Sequence, residues 1–136
     1  MDAIIGVSAG AGGHAGQISP YALIPYLKDN LSVPVIAAGC ISTGKQIIAS
    51  LALGAELVYM GTRFIATQEA PVHDNVKQAL IEASELDTRL IMRSLRNTER
   101  VLNNAAVEKI IEIETEKSDE MGIEDIAKLV GGVYPR

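Results

Sequence analysis

Ala3-Ile4-Ile5-Gly6-Val7-Ser8-Ala9-Gly10-Ala11-Gly12-Gly13-His14-Ala15-Gly16 carries an apolar run straight into four glycines within seven residues, with one imidazole among them. The run Ala3 to Val7 is near-continuously apolar, as expected of a parallel strand covered on both faces. Glycines at this density let backbone N–H groups approach a ligand closely, or take positive φ without penalty. The unit recurs twice. A predicted strand over Val33 to Ala38 closes on Gly39-Cys40, and one over Leu57 to Met60 closes on Gly61-Thr62. Gly12, Gly39 and Gly61 lie 27 and 22 residues apart, one strand–helix period each. Ser19-Pro20 is a helix start with proline at the first helical position, and that helix is expected to reach about Asp29. Ser42 or Thr43 caps the next helix, which carries Ile47, Ile48, Leu51 and Leu53 before Gly54 stops it. The fold class is α/β, with three glycine turns at the carboxyl ends of neighbouring parallel strands, where such proteins bind ligands.

The alternation stops near Gln68, which divides residues 1–67 from residues 68–136. Pro71 is expected to open a helix ending near Ala83, with His73 exposed in its first turn. A short strand pair (Thr88 to Ser94, Glu99 to Leu102) and helices around Ala106 to Glu116 and Ile123 to Val130 follow, making this part mainly helical. Glu112, Glu114, Glu116, Asp119 and Glu120 read as a solvated acidic face.

Composition narrows the function classes. With 136 residues, 48% hydrophobic and a net charge of −5, the chain can bury a moderate core and lacks a nucleic-acid footprint. It has no apolar run of membrane-spanning length and no amino-terminal signal pattern, so a cytoplasmic location is expected. The single Cys40 excludes an internal disulfide and a multi-cysteine metal site, and no metal is expected.

Gly10-Ala11-Gly12-Gly13-His14-Ala15 fits a G-x-G-x-x-A pattern, but a dinucleotide fold needs a helix starting within the glycines and an acid ending the next strand. Here that strand ends Ala37-Ala38-Gly39 and the helix waits until Ser19. No Walker-type lysine is present either. Gly39-Cys40 and Gly61-Thr62, taken singly, could serve only tight turns. As a pair on adjacent strands they offer converging N–H donors for a phosphate. His14 could be an ordinary loop histidine. Among glycines at a sheet mouth it has little to pack on, and an imidazole titrating near neutrality suits proton transfer. Cys40 needs to supply only its N–H, and Arg63 could meet either the phosphate or Glu69.

These blocks (Ala9 to Gly16, Pro34 to Ile41 and Met60-Gly61-Thr62-Arg63-Phe64), with Glu69-Ala70-Pro71 and Gly131-Gly132-Val133-Tyr134, resemble the nitronate monooxygenases, formerly 2-nitropropane dioxygenases. The resemblance implies the carboxyl-terminal part of an FMN-dependent TIM (β/α)8 barrel, about three parallel βα units, followed by a helical substrate-binding segment. It implies that His14 acts as base or positions substrate, that Gly12 and Gly13 lie beside the flavin, and that Gly39, Cys40, Gly61 and Thr62 hold the FMN phosphate. The family usually has a second glycine at position 40, which makes Cys40 a departure. The implied reaction is oxidation of an alkyl nitronate or nitroalkane by O2 to a carbonyl compound and nitrite. Flavin-dependent enoyl-acyl-carrier-protein reductases and NADH:quinone reductases share the glycine–histidine loop and are the alternative activities. A further alternative is a catalytically incompetent fragment retaining a phosphate-binding surface.

A complete barrel needs about 200 residues or more, so the resemblance implies that about five βα units precede Met1 and that a last barrel helix follows Arg136. Three strands alone leave two open edges and a bare apolar face, which invite association, including of two copies.

Overall fold

The computed structural model describes residues 1–131, so Gly132-Val133-Tyr134 of the resemblance lie outside the described residues. The chain divides into two compact units, Met1–Glu82 and a second beginning at Ala83. The strand–helix alternation ends near residue 67, but contacts thin only after Glu82, which leaves residues 68–82 with the first unit.

In the first unit β1 (Ile4–Val7), β3 (Val35–Ala38) and β4 (Leu57–Tyr59) form a parallel sheet in the order β1-β3-β4, and a two-residue strand β2 (Gly13–His14) lies in the loop after β1. The register pairs Ile5 with Ile36 and Val7 with Ala38, then Ile36 with Leu57 and Ala38 with Tyr59. β3 starts two residues later than the apolar run suggests. Pro34 has no N–H to donate, although its carbonyl still accepts from Ile4 N–H at 2.9 Å.

Helix α1 (Pro20–Asn30) lays Ile24, fully buried, and Leu27 on one face of this sheet, against Val35, Ala37 and Val58. A Cβ on Gly6 would come 2.7 Å from Leu27 Cδ1, so the missing side chain is what lets α1 pack this close. Burying an isoleucine of this kind contributes roughly 1.5–3 kcal/mol. Ser19 stands at the cap as expected, but its side chain makes no capping bond. The first turn rests on Pro20 and on Ser19 C=O, which accepts from Ala22 and Leu23. Helix α2 (Gly44–Ala52) ends at Gly54, whose φ of +106° turns the chain into β4.

The opposite face of the sheet is bare apart from Ala38, which is buried. Ile5, Val7, Leu57 and Tyr59 are 39–61% exposed, so in the described chain the strands are not covered on both faces and show the bare apolar face expected of three strands alone. The helix expected from Pro71 begins instead at Asp74 (α4, Asp74–Glu82), after a four-residue α3 (Thr62–Ile65). His73 precedes α4, and its Nδ1 accepts from Asn75 N–H at 3.1 Å.

The second unit contains an antiparallel pair, β5 (Thr88–Ile91) and β6 (Glu99–Leu102), then α5 (Ala105–Lys117), a 3-10 turn (Ser118–Glu120) and α6 (Ile123–Gly131). Asn104 caps α5 by accepting from Ala106 and Val107 N–H. Ile91, Met92, Val107, Ile110, Met121 and Ile126 form its own core. Glu114 is not part of a solvated face. Its Oε1 accepts from Arg93 N–H at 2.7 Å and Ser94 Oγ at 3.2 Å, and Met92 turns to φ +56°, which ends β5 short of the predicted Ser94.

Candidate functional site

Three loops leave the carboxyl ends of β1, β3 and β4, and they hold one another. Ser8, directly after β1, is fully buried, and its N–H donates to Ala38 C=O at 2.9 Å. Its own carbonyl accepts from Ala11 at 3.1 Å and Gly16 at 3.3 Å, which curls the glycine-rich loop back over the strand end. Any Cβ on Gly16 would overlap the Val7 carbonyl.

The turn after β3 sits against this curl. Gly39 has φ +100°, and a Cβ there would lie 2.5 Å from Ser8 Oγ and 2.9 Å from Ala11 N. Cys40 is exposed with φ +57°, a left-handed conformation that glycine adopts at no steric cost. The Cys40 Sγ occupies the space that a side chain on Gly10 would need.

The loop after β1 reaches further still. A Cβ on Gly12 would come 3.0 Å from Thr62 Oγ1, although β3 separates β1 from β4. The glycine-rich loop therefore crosses the end of β3 and meets the start of α3. Gly13, at φ +73°, and Gly61 both have open space where a side chain would stand. His14 follows, exposed, in β2. Gly12, Gly39, Cys40 and Thr62 are thus brought together through direct contacts between their loops, and Gly13 and His14 are carried on the same crossing loop.

The donors at the two turns differ. At α2, Gln46 Oε1 accepts from Ser42 N–H and Thr43 N–H, both at 2.9 Å, and from the hydroxyls of Ser42 at 3.1 Å and Thr43 at 3.0 Å. Thr43-Gly44-Lys45-Gln46 carries the sequence pattern of a capping box, a signal that a search for the cap residue alone passes over. Its consequence is that the N–H groups of Ser42 and Thr43, just before α2, are already satisfied by the chain. At α3 the N–H groups of Thr62 and Arg63 fall in the first turn, where no helix carbonyl can receive them.

Sequence reasoning also missed Ser8. Its Oγ is buried without a hydrogen-bond partner, directly beneath Gly39. Arg63 does not meet Glu69. That carboxyl is held below its ordinary value by its own backbone N–H, then by the Thr67 hydroxyl, with Lys77 adding a smaller attraction. Among the described residues no cluster of three or more His, Cys, Asp or Glu side chains could hold a metal ion, and no helix is long and apolar enough to cross a membrane.

A parallel sheet whose glycine loops interlock at the carboxyl ends of its strands defines an α/β protein, a class that binds its ligands at that edge. Residues 1–129 match the family model for nitronate monooxygenase, and the chain belongs to that family. A probable nitronate monooxygenase of Staphylococcus aureus (strain Newman) is 34% identical over 129 residues, which cover 88% of this chain and 36% of the relative. Among solved structures, FabK from Thermotoga maritima is 40% identical with a TM-score of 0.82, covering 85% of this chain and 37% of that one. A nitroalkane oxidase from Streptomyces ansochromogenes is 27% identical with a TM-score of 0.72, covering 97% of this chain and 42% of its own. The chain thus spans little more than a third of the length of the curated relative that it matches.

Proposed function

We propose that this chain is the carboxyl-terminal part of an FMN-dependent (β/α)8-barrel enzyme of the cytoplasm that oxidises alkyl nitronates with O2 to a carbonyl compound and nitrite. The observation that carries this reading is the interlock of the three glycine loops. It sets Gly39-Cys40 beside the loop of Gly12, Gly13 and His14, and that loop against Thr62.

The residues fit a flavin phosphate. A Cβ on Gly12 would press on Thr62 Oγ1, and Gly61 leaves open space next to first-turn donors. The backbone N–H groups of Gly39, Cys40, Gly61 and Thr62 would hold the phosphate, with Gly12 and Gly13 allowing close approach of the ring. When bound, FMN supplies the redox capacity for oxidising the substrate and passing electrons to O2. The chain's share is orientation and proton handling. His14, exposed on the crossing loop, takes the α-proton of a neutral nitroalkane and leaves a nitronate. The bare apolar side chains of Ile5, Val7 and Leu57 support the barrel reading, because these residue types fill a barrel interior.

The test is oxygen uptake by the intact, FMN-loaded protein given propane-2-nitronate, compared with NADH oxidation given an enoyl thioester or a quinone. Nitronate-dependent uptake supports the proposal; NADH oxidation without it moves the activity to the reductases. That second reading is kept because the 40% identity to FabK, which is not named as a nitronate enzyme, exceeds the 27% identity to the nitroalkane oxidase.

A further inference from the structure

The bare face of the parallel sheet carries one polar group. Its two rows are Ile5–Ile36–Leu57 and, nearer the glycine loops, Val7–Ala38–Tyr59. Five of these six side chains are hydrocarbon, and only Tyr59 brings a hydroxyl. Val58, between the two β4 residues, packs with Ile24 and Val35 on the helix side, which fixes Leu57 and Tyr59 on the opposite face. Tyr59 is 61% exposed there, at the last position of β4.

Two other constraints converge on the same place. Gly61 and Thr62, which supply the phosphate donors in the proposed function, follow Tyr59 by two and three residues. The loop after β1 meets Thr62 through Gly12, and His14 lies two residues beyond Gly12, within about 7 Å of it along the chain. The loop that carries His14 and the strand end that carries Tyr59 therefore lie at the same carboxyl edge of the sheet.

We propose that Tyr59 is a substrate-binding group whose O–H donates a hydrogen bond to a nitronate oxygen, on the sheet side of the position served by His14. The inference rests on the nitronate reading. A phenol suits this role because it carries a single O–H donor, and its ring continues the apolar face that excludes water from the bond. A hydrogen bond to an anionic oxygen is also among the stronger neutral–charged contacts.

The experiment compares the intact, FMN-loaded protein with its Tyr59→Phe variant, using propane-2-nitronate as the probe. The change keeps the ring and removes one oxygen. The expected result is a rise in KM for the nitronate of about ten-fold to a hundred-fold, with FMN content and Tm unchanged and kcat less affected. An unchanged KM in an active variant overturns the proposal alone. A Tyr59→Phe protein that loses FMN or falls in Tm shows a packing role and also overturns it. Wild-type protein that carries FMN but consumes no oxygen with the nitronate overturns the nitronate reading, and this proposal with it.

Discussion

Gly10 and Cys40 form a complementary pair, and their coupling can be measured. A Cβ on Gly10 would overlap Cys40 Sγ and come 3.2 Å from Cys40 Cβ, so Gly10→Ala forces the thiol out of its rotamer and strains the contact between two loops. Overpacking of this kind costs about 1–3 kcal/mol. Cys40→Gly has opposing effects. It relieves the left-handed φ of +57°, a gain of roughly 1 kcal/mol, and it adds freedom to the unfolded chain, a loss of about 0.5–1 kcal/mol. The single Cys40→Gly change should therefore lie within about 1 kcal/mol of wild type. In its background the obstacle to an alanine at position 10 is gone, and Gly10→Ala should cost less than about 0.5 kcal/mol. Urea unfolding of the four forms of the intact protein yields the double-mutant cycle. Equal costs for Gly10→Ala in both backgrounds would refute the interlock of the first two loops, because the thiol would then not be what stands in the way.

Glu56 ties α1 to the sheet by accepting from Lys28 Nζ and from Val35 N–H at 2.7 Å. These partners, Lys28 first, hold its carboxyl below the ordinary 4.5, so its contribution to stability is complete above that pH and is lost as pH falls through the lower folded value. Glu56→Gln should flatten that part of the acid limb of a Tm-against-pH curve below about pH 4.5, and an unaltered limb would discount the link. His14→Asn should reduce oxygen uptake with a neutral nitroalkane more than with a preformed nitronate, and equal losses would count against proton abstraction. The 136-residue chain expressed by itself, with Ile5, Val7, Leu57 and Tyr59 bare, should associate on size-exclusion chromatography and bind FMN weakly. A monomer with stoichiometric flavin would contradict that expectation.

The order and type of the longer strands and helices could be read from the sequence because each βα unit is punctuated locally, whereas the short β2 and α3 could not. Gly39, Gly54 and Pro20 act on their own φ angles, and the apolar runs between them have strand length. The start of α4 departs from its sequence signal for a related reason. Pro71 fits a first helical turn, but His73 Nδ1 accepts from Asn75 and moves the start to Asp74. Glu114 looks like one acid among several, because nothing local shows that it receives the backbone of Arg93, 21 positions away. The mouth is legible in the sequence only as a set of residues. Its geometry depends on tertiary contacts (Gly10 with Cys40, Gly12 with Thr62, Gly39 with Ser8) that spacing cannot reveal. The bare face that ends in Tyr59 is legible only by counting three strands against a barrel, since an apolar strand reads alike whether one face is covered or two.

If the interlocked loops form a phosphate-holding flavin mouth, the phosphate itself provides the most direct test. Fluorescence titration of the intact apoprotein with FMN and with riboflavin compares two ligands that differ by that group alone. Riboflavin should bind more weakly by roughly two orders of magnitude, because the donors of Gly39-Cys40 and Gly61-Thr62 lose their charged acceptor. Equal affinity for the two ligands would contradict the phosphate-holding role of these loops.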